Sequence, residues 1–386
     1  MLWLFALWLA FGVLSVGVTG FHFLSMIRAS NKPWQLKIDS TYSPKVTFLV
    51  PTYNESAVIK YKLINMAKVD YPKELMQILI VDSKSTDSTI DIVNDFIQQH
   101  PELNIQVLSE STRKGKAAAL NQALKHVTSE LVIVSDADCL YQSDVLKKSL
   151  PYLADPKVGA ISGPKLLLNF NSSKTAQNEK DYLASMNKAK LGESKHGFTP
   201  LFEGGFSAYK KDVLESFDPY KTGSDDCGTI IKLAENSYEA LFVSEAAFYT
   251  TFPISWKERL SIKLRRGNQL LRVFMKYLEL YRHKKVKTAP RVVLSNIFVY
   301  LVCPSFFILF MIATVGMLAL YPLLTLSLLL LLIPKVRQLS AEVFLNYILL
   351  FISSFSVLLK RNFLIWKQPA DRQLFTEEML RQTGLI

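Results

Sequence analysis

Leu131-Val132-Ile133-Val134-Ser135-Asp136-Ala137-Asp138-Cys139 is the stretch whose reading decides the fold. An aliphatic, largely β-branched run ends in two carboxylates one residue apart. Such a run, stopped by a turn signal, predicts a buried strand whose tip presents Asp136 and Asp138. In open α/β sheets ligands bind outside the carboxyl ends of the strands. Two hard oxygen donors placed there can share a divalent cation that neutralises a diphosphate. Taken by itself, an Asp-x-Asp is more often an ordinary acidic turn, because Asp is a common turn residue. Its neighbours change that balance.

Upstream, strand and helix patterns alternate with short links. Val46–Val50 reads as a strand ending in Pro51-Thr52-Tyr53-Asn54-Glu55, and a helix follows to about Lys68. Gln77–Val81 is a second strand, ending in Asp82-Ser83-Lys84-Ser85-Thr86-Asp87, whose cap-rich turn opens a helix over Ser88–Gln99. Ile105–Leu108 is a third strand, and Lys114-Gly115-Lys116 starts another helix. This alternation predicts a mostly parallel sheet covered on both faces. Parallel strands align their tips, so Asn54/Glu55, Asp82 and Asp136/Asp138 converge on one crevice.

Downstream the pattern loosens. Helical residues from about Ala176 to Leu191 lead to Phe202-Glu203-Gly204-Gly205, where two glycines let backbone approach a ligand or simply form a turn. Asp225-Asp226 then opens a helix through Asn236. These acids can be capping chemistry or can hold a general base. Trp256–Tyr281 reads as one amphipathic helix, with Trp256, Leu260, Leu264, Leu271, Phe274, Leu278 and Tyr281 on one stripe and Arg265, Gln269, Arg272 and Lys276 roughly opposite. Such a helix fits the membrane surface with its polar side toward the soluble domain, or an ordinary solvated surface helix.

The 386 residues carry a net charge of +12 and are 49% hydrophobic, which excludes a disordered chain and points to anionic partners. No nucleic-acid-binding motif is present, so phosphorylated substrates and membrane lipid are the expected anions. Cys139, Cys227 and Cys303 are isolated, and the 5 His make no ligand-spaced pair, so neither a disulfide framework nor a zinc site is expected. Leu2–Met26 is apolar and uncharged, long enough to cross a bilayer, and without a basic leader or small-residue cleavage site. Arg28, Lys32 and Lys37 follow it and place the next domain in the cytoplasm. Val292–Ile333 has room for two spans turning near Gly316–Pro322. Val343–Leu359 is a shorter segment, either a span or a re-entrant helix; as a span it leaves Lys360, Arg361 and Lys367 outside, against the charge rule.

Together these landmarks resemble a membrane-integrated family 2 glycosyltransferase of GT-A fold. Carrying the resemblance are Pro51-Thr52-Tyr53-Asn54-Glu55, Asp82–Asp87, Lys114-Gly115-Lys116 with Leu120-Asn121, Asp136-Ala137-Asp138, Asp225-Asp226 and Gln269-Leu270-Leu271-Arg272. The expected architecture is an α/β, Rossmann-like nucleotide-sugar domain over 44–250, an N-terminal transmembrane helix over 1–27 and an interfacial helix region over 251–288. A transmembrane hairpin over 290–334, a third membrane segment over 340–360 and a tail over 361–386 complete it.

The resemblance implies donor contacts at Pro51, Tyr53, Glu55, Asp82, Lys116, Asp136 and Arg265. It implies Mg²⁺ or Mn²⁺ on Asp138 with Asp136, a base at Asp226 beside Asp225, and closure over the donor by Gln269 and Arg272. Glu203, Gly204 and Gly205 are the acceptor candidates. The implied reaction is inverting transfer from a nucleotide-sugar, with UDP-sugar favoured, to a lipid or lipid-linked glycan at the plasma membrane. A processive polysaccharide synthase is the alternative, and a non-catalytic membrane scaffold a remote one. Two departures stand out. Asp225 occupies the usual Glu position before the base, and Val273 replaces the Trp that helps processive enzymes bind acceptor.

Overall fold

The computed structural model describes residues 2–359 and 375–386. The chain opens with helix α1 (Leu2–Ser30), which contains a π-turn at Val13–Gly17. Alternation then begins: β1 (Val46–Thr52), α2 (Ile59–Ala67), β2 (Met76–Asp82), α3 (Thr89–Gln99), β3 (Asn104–Ser109), α4 (Lys116–Leu124) and β4 (Leu131–Val134). The second half supplies α5 (Val145–Ser149), β5 (Val158–Ser162), β6 (Lys165–Leu167), α6 (Lys174–Ser194), β7 (Ser207–Lys210), α7 (Ile230–Glu235), β8 (Glu239–Phe242) and β9 (Phe248–Thr250).

Seven strands form one sheet in the order β3-β2-β1-β4-β7-β5-β8. β1, β2, β3 and β4 are mutually parallel, and β7 runs antiparallel between β4 and β5. The tips of β2, β1 and β4 are therefore neighbours, as the sequence leads one to expect. The antiparallel pairing of Val134 with Ser207 brings the Glu203–Gly205 loop beside Asp136. Residues alternate between the faces: Phe48, Ile78 and Ile133 pack with α2 and α3, whereas Leu49, Leu79 and Val132 pack with α4. Burial of both faces explains why these strands are continuously apolar.

Helix α8 (Trp256–Arg282) is one uninterrupted helix, capped by the Ser255 hydroxyl accepting from Glu258 N–H. Part of its apolar stripe packs inside the protein, while Trp256 is exposed. Leu271, Phe274 and Tyr277 are buried in the same core as Leu49 and Leu79. A 3.6-residue period tells that a face is covered, not what covers it.

The hairpin expected between 292 and 333 is corrected. Helix α9 (Pro290–Leu320) runs unbroken through Gly316, ends before Pro322, and is followed by a 3₁₀ segment over Pro322–Leu332. At about 2 Å per residue that segment reaches roughly 22 Å, short of a ~30 Å hydrocarbon core. The next long helix, α10 (Pro334–Leu358), absorbs the weaker segment and extends it. α1, α9 and α10 are each long and apolar enough to cross a membrane. α1 and α9 pair antiparallel, through Trp8 Nε1–Thr314 Oγ1 at 3.0 Å and Phe11 against Phe306.

α10 runs beside α8 in the same direction. Buried Arg259 bridges Glu179 of α6 at 3.1 Å and Glu342 of α10 at 2.8 Å, and Asn268 donates to Ser356 at 2.6 Å. α6 also grips the N-terminal helix. Glu193 Oε1 lies 3.2 Å from His22 Nε2 and accepts from Asn296 Nδ2 at 2.7 Å, all three residues being buried. Lys360, Arg361 and Lys367 lie outside the described residues. The C-terminal helix α11 (Glu377–Gln382) docks on the α/β domain, where Asn65 Nδ2 donates to Leu385 O at 2.7 Å.

Candidate active site

A cavity of about 800 Å³ lies at the tips of β1 and β4. Pro51, Tyr53 and Glu55 line one end, and the Arg113 guanidinium stacks on the Tyr53 ring at 3.8 Å. Asp136 and Asp138 form the floor. Beneath them buried Lys62 bonds the Ser135 hydroxyl and donates to Cys139 O at 2.5 Å, so one ammonium brackets the Asp-x-Asp turn. That position carried no signal in the sequence, since lysine on an amphipathic helix normally faces water.

Lys116, at the start of α4, places Nζ 2.7 Å from Asp136 Oδ1 and 2.7 Å from Asp225 Oδ2. Burial alone lowers the Lys116 pKa, but the two carboxylates outweigh it and raise it well above the ordinary value. Burial pushes the Asp225 carboxyl up to about 6 against the pull of Lys116, helped by repulsion from Asp226 and Asp136. Asp226 is fixed differently. Its Oδ1 accepts from the Cys227 N–H at 2.6 Å and from the Ser224 hydroxyl, while a Cβ placed on Gly204 would lie 3.4 Å from its Oδ2. Asp218 holds this loop by accepting from Thr222 N–H at 2.8 Å and Gly223 N–H at 2.7 Å.

Glu203 lines the cavity with Gly204 and Gly205, its Oε1 2.5 Å from Lys190 Nζ. Burial would raise its pKa, but Lys190, Arg266 and Lys165 pull it down to about 2. Gly205 is needed for packing, since a Cβ there would lie 2.2 Å from the Phe248 ring. From α8, Arg265, Arg266 and Gln269 reach the wall, and Arg265 Nη1 donates to Gln269 Oε1 at 3.2 Å. Burial and the neighbouring Arg266 lower the Arg265 pKa to about 10, which leaves it charged at neutral pH.

One expected donor contact, Asp82, and one residue expected to close over the donor, Arg272, do not line the cavity. Asp82 is buried at the tip of β2 and caps Ser85 N–H at 3.1 Å, while adjacent Ser83 lines the cavity instead. Arg272 is also off the wall, and its Nε donates to Asn268 Oδ1 at 3.1 Å one turn back. Helical phase does not separate them, since seven residues bring Arg272 almost back to the side of Arg265; Arg272 lies about 10 Å farther along the helix axis. Arg113, Lys165, Lys190 and Arg266 line the cavity and were missed by the sequence reading. Arg266, next to Arg265, and Lys190, near the end of the helical stretch from about Ala176 to Leu191, lay within segments that the pattern had singled out.

Asp136, Asp138 and Cys139 present ligand atoms within 4.8 Å of one another. The carboxylates suit a hard cation such as Mg²⁺ or Mn²⁺. Cys139 suits it less, because sulfur is a soft donor; burial and the two nearby carboxylates also push its thiol pKa up.

The family model described as "Glycosyltransferase like family 2" matches residues 44–268. The chain belongs to glycosyltransferase family 2. A solved mannosyltransferase from Pyrobaculum calidifontis, in complex with GDP-Man and Mn²⁺, is 29% identical, with a TM-score of 0.78 over 93% of this chain and 100% of that one. A poly-beta-1,6-N-acetyl-D-glucosamine synthase of Staphylococcus epidermidis is 25% identical over 62% of this chain and 58% of its own length. A beta-monoglucosyldiacylglycerol synthase of Nostoc is 33% identical over 39% of this chain and 32% of its own length. The glycosyltransferase thus matches less than two thirds of either curated relative. Its sheet, with parallel β1–β4 and inserted β7, is of GT-A type, as the sequence implied.

Proposed function

We propose that this enzyme transfers one sugar, with inversion, from a nucleoside-diphosphate sugar to a membrane-presented lipid or lipid-linked glycan. The observation that carries the reading is the meeting of Asp136/Asp138 and Asp225/Asp226 in one cavity, joined through Lys116. Asp138, with Asp136, would hold Mg²⁺ or Mn²⁺, which when bound supplies positive charge against the leaving diphosphate. Pro51, Tyr53, Glu55 and Arg113 form the end suited to the nucleoside, and Arg265 adds a fixed cation over the phosphates.

Asp226 takes the proton from the attacking hydroxyl while that oxygen bonds to the anomeric carbon and the bond to the diphosphate breaks. It suits this role better than Asp225, whose carboxylate is engaged by Lys116. Attack from the face opposite the diphosphate inverts the centre.

The family resemblance favours a UDP-sugar, and the mannosyltransferase neighbour makes GDP-mannose an equal arm of the test. α1 and α9 cross the plasma membrane as an antiparallel pair, and Arg28, Lys32 and Lys37 hold the catalytic domain on the cytoplasmic side. α10, bonded along α8, lies against the interfacial region.

Processive synthesis is the second reading, favoured by the polysaccharide synthases among the relatives. Val273 weighs against it: it is fully buried in the core and offers no aromatic platform in the cavity. Incubating purified protein in liposomes with labelled UDP-glucose, UDP-N-acetylglucosamine or GDP-mannose and Mn²⁺ tests both readings. A single addition to the lipid fraction supports transfer, a polymer ladder supports synthesis, and no turnover of any donor defeats both.

A further inference from the structure

Helix α2 reaches the Asp-x-Asp turn with two buried side chains three residues apart, Lys62 and Asn65. Lys62 holds the near side of the turn through the Ser135 hydroxyl and Cys139 O. Asn65 holds the far side: its Oδ1 accepts from Tyr141 N–H at 2.9 Å, and its Nδ2 donates to Tyr141 O at 2.8 Å. The same Nδ2 also donates to Leu385 O at 2.7 Å, and Gln142 Nε2 donates to Thr383 O at 3.2 Å. Leu140, between Cys139 and Tyr141, is buried in one cluster with Phe375, Leu380 and Leu385. Phe375–Ile386 thus packs on the outer side of the turn that carries the proposed metal ligands.

We infer that Phe375–Ile386 is a clasp whose docking positions the Asp136–Asp138 turn for its cation, with Asn65 and Leu140 as the positioning residues. The inference rests on the metal reading above and adds a remote segment to it. Helix α11 of the clasp has only 6 residues. Isolated helices shorter than about 12 residues are marginal in water, so this one is ordered by what it docks on. Docking and turn geometry are therefore linked through the contacts they share. Groups that orient metal ligands typically change affinity by roughly ten- to a hundred-fold when lost.

Other bonds on the turn do not depend on the clasp. Leu140 N–H donates to Tyr249 O at 2.9 Å, Tyr249 N–H donates back to Leu140 O at 2.8 Å, and the Tyr141 hydroxyl donates to Gly205 O at 2.9 Å. Release of the clasp should therefore loosen the turn without unfolding it, which places the effect near the lower end of that range. Coupling of this kind is reciprocal: if the docked clasp tightens cation binding, the bound cation tightens the clasp by the same factor.

Two measurements on the full chain in detergent test the inference, with Mn²⁺ and GDP or UDP as probes. The first uses the unmodified protein. The Leu380, Thr383, Gly384 and Leu385 amides bond within the clasp. Their hydrogen exchange should slow about ten-fold when Mn²⁺ and nucleotide bind together, and should not slow with nucleotide in EDTA. The second uses Leu380→Asp/Leu385→Asp, which puts two charges into the buried cluster and releases the clasp. Its apparent Mn²⁺ affinity, at one fixed nucleotide concentration, should fall about ten-fold, and Leu380→Met/Leu385→Met should keep most of it. Clasp exchange that ignores Mn²⁺ overturns the inference. So does undiminished Mn²⁺ affinity in an Asp variant whose clasp amides exchange freely. The exchange measurement needs no substitution, so a variant that fails to fold does not block the test. Failure of the metal reading would look different: nucleotide affinity in the unmodified protein would be the same with EDTA as with Mn²⁺, and this inference would fall with it.

Discussion

Asp136 and Asp225 share one ammonium: Lys116 Nζ lies 2.7 Å from an oxygen of each. One acid follows β4 and the other precedes α7, so a single lysine ties the proposed metal side of the cavity to the proposed base side. The arrangement makes each half sensitive to the other.

Removing the metal side should abolish donor recognition. Asp138→Ala is expected to weaken binding of GDP or UDP in the presence of Mn²⁺ by 100-fold or more, and EDTA should do the same to the unmodified enzyme. Calorimetric titration checks both, and nucleotide binding that ignores EDTA would contradict the assignment of Asp136 and Asp138.

The pH dependence follows from Asp225. Its folded pKa is raised to about 6 from the ordinary value of 3.8, chiefly by burial, so it is charged above pH 6 and protonated below. Protonation releases Lys116, so kcat/KM should be flat above about pH 7 and fall through pH 6. Asp225→Asn should lower activity throughout and remove that acid limb, as a pH–rate profile would register.

Gly205 should matter for stability rather than chemistry. A Cβ there meets the Phe248 ring at 2.2 Å, inside any tolerable contact. Gly205→Ala is expected to destabilise the domain by about 1–3 kcal/mol, seen as a lower Tm, with partial recovery in Gly205→Ala/Phe248→Leu.

Arg259 joins three helices from a fully buried position. Arg259→Met leaves Glu179 and Glu342 facing each other with Lys263 as their remaining charged partner. A loss of about 3–5 kcal/mol is expected, and thermal unfolding in detergent would measure it. Arg259→Lys should recover only part, because it cannot span both carboxylates.

The chain makes its parallel half easy to read. β1, β2 and β4 are runs of Val, Ile and Leu buried on both sides, and their tips had to align, so Glu55 and Asp136 could be placed together before any coordinates. What resisted was side-chain direction. Asp82 sits at the right strand tip yet turns into its own loop, and Arg272 is on the right helix but bonds Asn268 instead of lining the cavity. Lys62, Lys165 and Lys190 owe their positions to tertiary packing alone, and in sequence they are indistinguishable from lysines at the surface. The hairpin within 292–333 differed for another reason, while the N-terminal membrane-length helix is where the sequence puts it. Counting apolar residues across 292–333 could not say that the helix would persist through Gly316 and stop at Pro322.

α6 touches both the lipid-facing part of the molecule and its chemistry. Glu193 grips His22 and Asn296, and one turn earlier on the same helix Lys190 holds Glu203 in the cavity. A tilt of the first helix would thus be delivered, over a single helical turn, to the Glu203 loop, the expected acceptor side, while Asp136 and Asp138 follow a strand that α6 does not pair with. Bilayer thickness or choice of detergent should accordingly retune which acceptors are used well before it disturbs nucleotide affinity.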